Sequence, residues 1–195
     1  MAIVSDERVL FERSGDARRS LAERLPMDLL DALAACGLSS SEIDVFAIAS
    51  GPGSFTGLRI GIATIQGLAA VHAARVVPVS ALTALAEAAS VGLEAGAVVA
   101  AWMDAHRRDV FSALFRVHDA PPFDLARLRE LDGPAVGEPA ATLDRWRRMH
   151  VVPIAIAGDG AVLYGDLVQS AGRVVPPLPR AGSVGRLAVV RARAG

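Results

Sequence analysis

The sequence contains no lysine and no asparagine. All 20 basic residues are therefore arginines, set against 21 acidic residues for a formal net charge of −1. Without lysine there is no Schiff-base amine and no Walker-type lysine for a nucleotide phosphate. A balanced charge gives no global attraction to nucleic acid or to an anionic membrane, so any RNA contact is local or made by a partner. Cysteine is nearly absent: Cys36 alone rules out an internal disulfide and suits a reducing cytoplasm. The four histidines, His72, His106, His118 and His150, show neither HxxxH nor HExxH spacing, and no structural metal is expected. No charged-then-apolar leader opens the sequence. The apolar run from 57 to 74 is interrupted by Arg59, Gln66 and His72, so neither a signal peptide nor a membrane span is expected.

What is present is apolar and alternating. With 195 residues and 52% hydrophobic content, the chain can bury the core of one large domain or two small ones. Ala2 to Val4 and Arg8 to Glu12 read as short strands around a Ser5-Asp6-Glu7 turn. From Ala17 to Ala35, Leu21, Leu25, Leu29 and Leu33 recur every four residues, the stripe of a helix that Gly37 ends and Pro26 kinks or restarts. Ile43 to Ala49 reads as a buried strand, Thr56 to Ala74 as a helix, Val76 to Val79 as a second buried strand, and Ser80 caps a helix to Ala89. The pattern then changes. Ala97 to Trp102 and Val110 to Val117 read as a hairpin joined by MDAHRRD, which predicts a boundary near 95 between an N-terminal α/β lobe, 1–95, and a C-terminal one, 96–195. Residues 121–139 read as loop, 140–149 as helix, 151–157 as strand, 161–170 as helix, then a proline-rich connection and a last helix from Ser183.

The stretch SGPGSFTGLRIGIATIQGLAA, Ser50 to Ala70, holds glycines at 51, 53, 57, 61 and 67. As strand, loop and helix, it offers helix-start amides near Gly51, Gly53, Ser54 and Thr56 as a candidate phosphate loop. It matches neither standard pattern: Leu58-Arg59 stands where a P-loop has Lys-Ser/Thr, and the third glycine arrives one position late for GxGxxG. Each interior helix glycine costs about 1 kcal/mol relative to alanine. Gly57, Gly61, Thr64 and Leu68 form a small-residue groove, and Leu58, Ile62, Ile65 and Ala69 a bulky stripe on another face. A helix apolar on two faces is covered on both, by its own sheet and by a neighbouring helix or a partner subunit; pattern alone leaves these open beside an ordinary buried helix.

Catalytic groupings are sparse. Ser54 lies in G-S-F rather than G-x-S-x-G, which makes it a loop or N-cap hydroxyl. Asp104, His106 and Asp109 fall together on the hairpin, where charged turn residues are usually solvated. Arg145, Arg147 and Arg148 around Trp146 read as a solvated helix face, with an RNA contact as the alternative.

Residues 50–69 resemble the signature segment of the bacterial TsaB (YeaZ) family, DAHRRDVF is similar to its D-A-R-x-x-E-V-Y/F hairpin, and Leu25-Pro26-Met27 fits the same family. The resemblance covers roughly 20–115. It implies an α/β actin-like or sugar-kinase-like (ASKHA) fold of two lobes, related to the catalytic TsaD subunit without its metal-binding histidines. It further implies a non-catalytic partner that dimerises with TsaD, assembles with the ATPase TsaE, forms a homodimer when alone, and enables threonylcarbamoyl transfer to N6 of adenosine 37 in tRNAs that read ANN codons. Transfer RNA is then met only through the complex, and ATP or ADP is expected at the complex interface rather than on this chain. Family contact runs through two helices of the first lobe, here carried by Leu21, Leu25, Leu29, Gly57, Ile60, Gly61, Thr64 and Leu68. Relatives begin with a strand similar to L-A-I-D-T-S, which this sequence lacks before its hairpin; a native start upstream of Met1 is the expectation. Ser20 stands where many relatives have histidine. An M22-type peptidase, a phosphotransferase and a homodimeric structural protein are the alternative readings.

Overall fold

A computed structural model describes residues 1–6, 8–16, 18–178 and 180–195. The chain forms two compact units, the first made of Met1–Ala81 with the C-terminal helix and the second of Leu82–Leu178.

The first unit opens with the expected hairpin. β1 (Ala2–Ser5) pairs antiparallel with β2 (Arg8–Glu12), Ala2 opposite Glu12. Asp6 of the turn has φ 53°, while Glu7 lies outside the described residues. α1 (Leu21–Cys36) starts later than its stripe suggests, and Ala17, the expected start, also lies outside the described residues. A capping box sets the true start: Glu23 N–H donates to Ser20 Oγ, and Ser20 N–H donates to the Glu23 carboxylate. Gly37, at φ 66°, closes the helix, with Leu38 N–H donating to Leu33 C=O and Gly37 N–H to Ala34 C=O. β3 (Val45–Gly51), α2 (Phe55–His72) and β4 (Arg75–Ser80) follow as a β-α-β crossover, the two strands parallel with Phe46 opposite Val76. Phe46, Ile65 and Ala69 form the buried centre under α2. Each of these strand pairs is a separate two-stranded sheet.

The second unit is built around α3 (Ala81–Ser90) and a five-stranded sheet. β5 (Val98–His106), β6 (Asp109–Val117) and β7 (Leu128–Gly137) run antiparallel in succession. α4 (Pro139–Arg148) leads to β8 (Ala155–Ala157), then α5 (Asp159–Leu163), α6 (Gly165–Val168) and β9 (Arg173–Val175). The sheet order is β7-β6-β5-β8-β9, with β8 parallel to both β5 and β9. Successive residues Val99 to Trp102 are all fully buried, so β5 is covered on both faces. On one face Trp102 meets Trp146 of α4, ring centroids 6.0 Å apart, among Leu114, Leu143 and Ile156. Buried Arg127 donates to Ser90 C=O, Leu93 C=O and Ala120 C=O, and Glu87 accepts from Phe123 N–H, fixing the irregular segment before β7. α7 (Ala181–Ala194) then returns to the first unit, where Glu12 accepts from its first-turn amide at Gly182 and Arg191 donates to Pro78 C=O.

The sequence boundary at 95 is corrected on two counts. α3 belongs with the second unit and α7 with the first, because their apolar faces bury there; chain order alone assigns each to the other. Two strands were read as loop. β7 carries Gly133 and Pro134 and much polar sequence, tolerated because it is an edge strand, and β9 is a three-residue edge. The helix expected over 161–170 is two short helices meeting at Tyr164.

Gly158 ends β8 at φ 122° and ψ 179°, and a Cβ there would lie 2.0 Å from the Trp102 carbonyl oxygen. Gly158→Ala is expected to destabilise the protein by about 3 kcal/mol or more, measured by denaturant unfolding. A loss under about 1 kcal/mol would show that β5 and β8 yield easily at this point.

Candidate partner interface

The glycine-rich segment resolves into a capped helix start. Ser54 is the N-cap of α2, its Oγ accepting from Gly57 N–H at 3.3 Å, so the hydroxyl is occupied by the helix it begins. Gly51 and Gly53 lie in the β3–α2 connection, and Thr56 is exposed in the first helical turn. Among the described residues no group of three His, Cys, Asp or Glu side chains is placed to hold a metal. Asp104 and His106 do meet, Nδ1 to Oδ2 at 3.2 Å, but the imidazole is 85% exposed. The Asp159 carboxylate accepts from Asp104 N–H and Gly160 N–H, which ties the strand end to α5. Asp109 starts β6, opposite His106 across the turn. In α4, Arg145 and the Trp146 indole N–H both donate to Asp132 of β7, and Arg147 pairs with Asp144, leaving Arg148 exposed without an ion pair among those described. That helix face is largely structural.

The eight residues expected to face a partner are placed differently. Leu21, Leu25, Leu29, Gly57, Gly61, Thr64 and Leu68 all line a cavity inside the first unit. Ile60 is half-buried beside them, its carbonyl accepting the Thr64 hydroxyl at 2.9 Å. Gly61 is buried, and a Cβ there would lie 3.3 Å from Ile48 Cδ1 of β3. The close approach that Gly61 permits is therefore to the unit's own sheet, whereas a Cβ at Gly57 would meet only Ser54 of the same helix start. Periodicity finds a two-faced helix but does not say which cover is which.

The outward faces are apolar too. On α1, Met27 is 57% and Leu30 59% exposed; on α2, Phe55 is 67% and Val71 79% exposed. Ala63, Gly67 and Ala70 lie on the exposed side of α2, and a Cβ at Gly67 would meet nothing within 4 Å. The Arg59 guanidinium caps Phe55, 4.0 Å from the ring centroid. α1 and α2 touch, so these side chains belong to adjoining helices. Sequence reasoning passed over them, although Met27 and Leu30, three residues apart and off the leucine stripe, carried the signal.

A family model described as TsaD, tRNA N6-adenosine threonylcarbamoyltransferase, matches residues 15–130. The tRNA threonylcarbamoyladenosine biosynthesis protein TsaB of Haemophilus influenzae is 41% identical over 155 residues, which cover 78% of this chain and 64% of that protein. The TsaB of Escherichia coli is 40% identical over 92 residues, 47% of this chain and 39% of its own length. The solved structure of YeaZ from Pseudomonas aeruginosa superposes with a TM-score of 0.76 at 28% identity, over 99% of this chain and 86% of that one. The chain belongs to the TsaB (YeaZ) family, with a TsaD-type domain. It spans under two thirds of the length of these two TsaB relatives. The family fold is the mixed α/β arrangement described above. Among the described residues no helix is long and apolar enough to cross a membrane.

Two predictions test the helices of this TsaB-family chain. Gly61→Leu is expected to destabilise the isolated protein by about 1–3 kcal/mol through overpacking against Ile48, read by thermal melts. An unchanged melt with weakened self-association would return Gly61 to an outer face. The second concerns acid stability. Glu23 is held below the usual glutamate range by its hydrogen bonds to Ser20. Its stabilising share is present above the ordinary glutamate value and is lost as pH falls through the lowered folded value. Glu23→Gln is expected to flatten the acid limb of the stability profile in that window; an unaltered limb would refute the linkage.

Proposed function

We propose that this protein is a non-catalytic partner subunit in threonylcarbamoyl modification of tRNA adenosine 37, docking a TsaD-type catalytic subunit through the outer faces of α1 and α2. The reading takes the two units as the two lobes of an ASKHA-type fold. The observation that carries it is the exposed apolar surface of Met27, Leu30, Phe55 and Val71 on two adjoining helices of one unit. Exposed aromatic and methionine side chains, with Arg59 stacked over Phe55, are the composition of an interface centre. The relatives' names supply the pathway: those proteins are TsaB, of tRNA threonylcarbamoyladenosine biosynthesis. In this scheme the same face makes a homodimer when no partner is present, a TsaE-like ATPase joins the assembled pair, ATP or ADP sits at the complex interface, and tRNA is contacted only through the complex. The site is cytoplasmic, where the tRNA is.

The test is reconstitution. The chain is mixed with TsaD-type and TsaE-type proteins, ATP, a threonylcarbamoyl donor and unmodified tRNA, and modified adenosine is measured. Transfer is expected to depend on the chain. Met27→Asp with Val71→Asp is expected to weaken association at least about 100-fold, the scale of losing interface anchors, while the melt is unchanged. Full transfer without the chain, or full association by the double variant, would defeat the reading.

A further inference from the structure

Arg116 of β6 and Arg129 of β7 are direct cross-strand partners in the second unit, and both are exposed. Side chains opposite each other on neighbouring strands share a face and stand about 5 Å apart at Cβ, where like charges weaken a ladder. Among the described residues neither guanidinium has a hydrogen bond or an ion pair. The acids nearby are committed elsewhere. Asp132 accepts from Arg145 and the Trp146 indole, and Asp144 pairs with Arg147. Glu130 stands opposite Phe115, and its Oε1 would be 3.0 Å from a Cβ at Gly133, so it leans along β7 away from Arg129. Asp119 lies past the end of β6.

The pair lies on the face that α4 covers. Arg116 alternates along β6 with Leu114, which packs with Trp102 and Trp146, so the two arginines continue that face beyond its core. The same end of the sheet runs on through Val98, opposite Arg116, to Ile154, whose N–H donates to Val98 C=O at 2.9 Å. α4 leads toward this end. Its last residue Arg148 is exposed, as are Met149 and His150 after it, and three residues separate His150 from Ile154. Val152 and Ile154 are exposed aliphatic side chains, and among the described residues of this unit no Phe, Tyr or Trp is exposed.

We infer that this end of the second unit binds the phosphate backbone of a double-helical RNA stem, with Arg116 and Arg129 gripping its phosphate oxygens. A guanidinium fork takes phosphate bidentately, and two forks this close meet one phosphate or two successive ones. The anion then neutralises both charges and removes their repulsion across the ladder. Unpaired bases are held by stacking on aromatic side chains, and with none exposed here the contact is to a duplex. Contacts of this kind position an RNA and read no sequence. The inference rests on the tRNA-modification reading for the identity of the RNA, and adds to it a contact made by this chain's own side chains. Two phosphate contacts hold RNA weakly, so at physiological salt the contact is made within the complex.

The test uses the full chain alone, at low salt, with a labelled RNA hairpin duplex, single-stranded RNA and polyglutamate, binding being read by fluorescence anisotropy over a salt series. Arg116→Gln with Arg129→Gln is expected to weaken duplex binding at least about tenfold and to flatten the log–log salt slope by about 1.5, the share of two phosphates. The melting temperature is expected to hold or rise, since a like-charge pair is removed. Arg116→Lys with Arg129→Lys is expected to keep the salt slope, because the charges remain. No duplex binding by the unaltered chain, or duplex affinity and slope unchanged in the glutamine variant, would overturn the inference. So would single-stranded RNA or polyglutamate binding as tightly as the duplex, the second of these pointing to an acidic protein instead. A TsaD-type subunit that fails to associate defeats the docking reading and leaves these measurements standing.

Discussion

A strand has two hydrogen-bonding edges, and in the first unit β1 and β3 each use one. Everything else about that unit is arranged around this constraint. Isolated two-stranded sheets are marginal in water, so they hold only where helices cover them. α7 provides the common support, anchored at one end by Glu12 accepting from Gly182 N–H and near the other by Arg75 donating to Ala192 C=O and Arg191 to Pro78 C=O. The second unit has no such opening between its paired strands. β5 is flanked by β6 and β8, and Trp102 and Trp146 fill one of its faces.

Elements whose signal is local were legible in the sequence. The leucine stripe and Gly37 located the end of α1 to within one residue, though not its start, and the run after Ser54 located α2. Features decided at a distance were not. β7 is polar and interrupted by Gly133 and Pro134, and only its ladder to β6 makes it a strand. The allegiance of α3 and α7 follows from where their apolar faces find partners, which local periodicity does not encode.

The candidate interface shows the same limit more sharply. That α2 is apolar on two faces was readable; that Gly61 backs onto Ile48 while Phe55 and Val71 point outward was not. A glycine on a helix permits close approach and is silent about what approaches. The family resemblance pointed to these two helices, and on them Leu25, Leu29 and Leu68 line the inner cavity while Met27, Leu30, Phe55 and Val71 are exposed.

The two surfaces are linked physically. α1 and α2 present leucines to the cavity on one side and Met27, Leu30, Phe55 and Val71 to solvent on the other. The spacing and tilt of the outer side chains depend on how firmly the inner ones are seated. Dense packing of such inner side chains limits the freedom of two helices to shift against each other. A partner that binds this outer face then loses less entropy on ordering it.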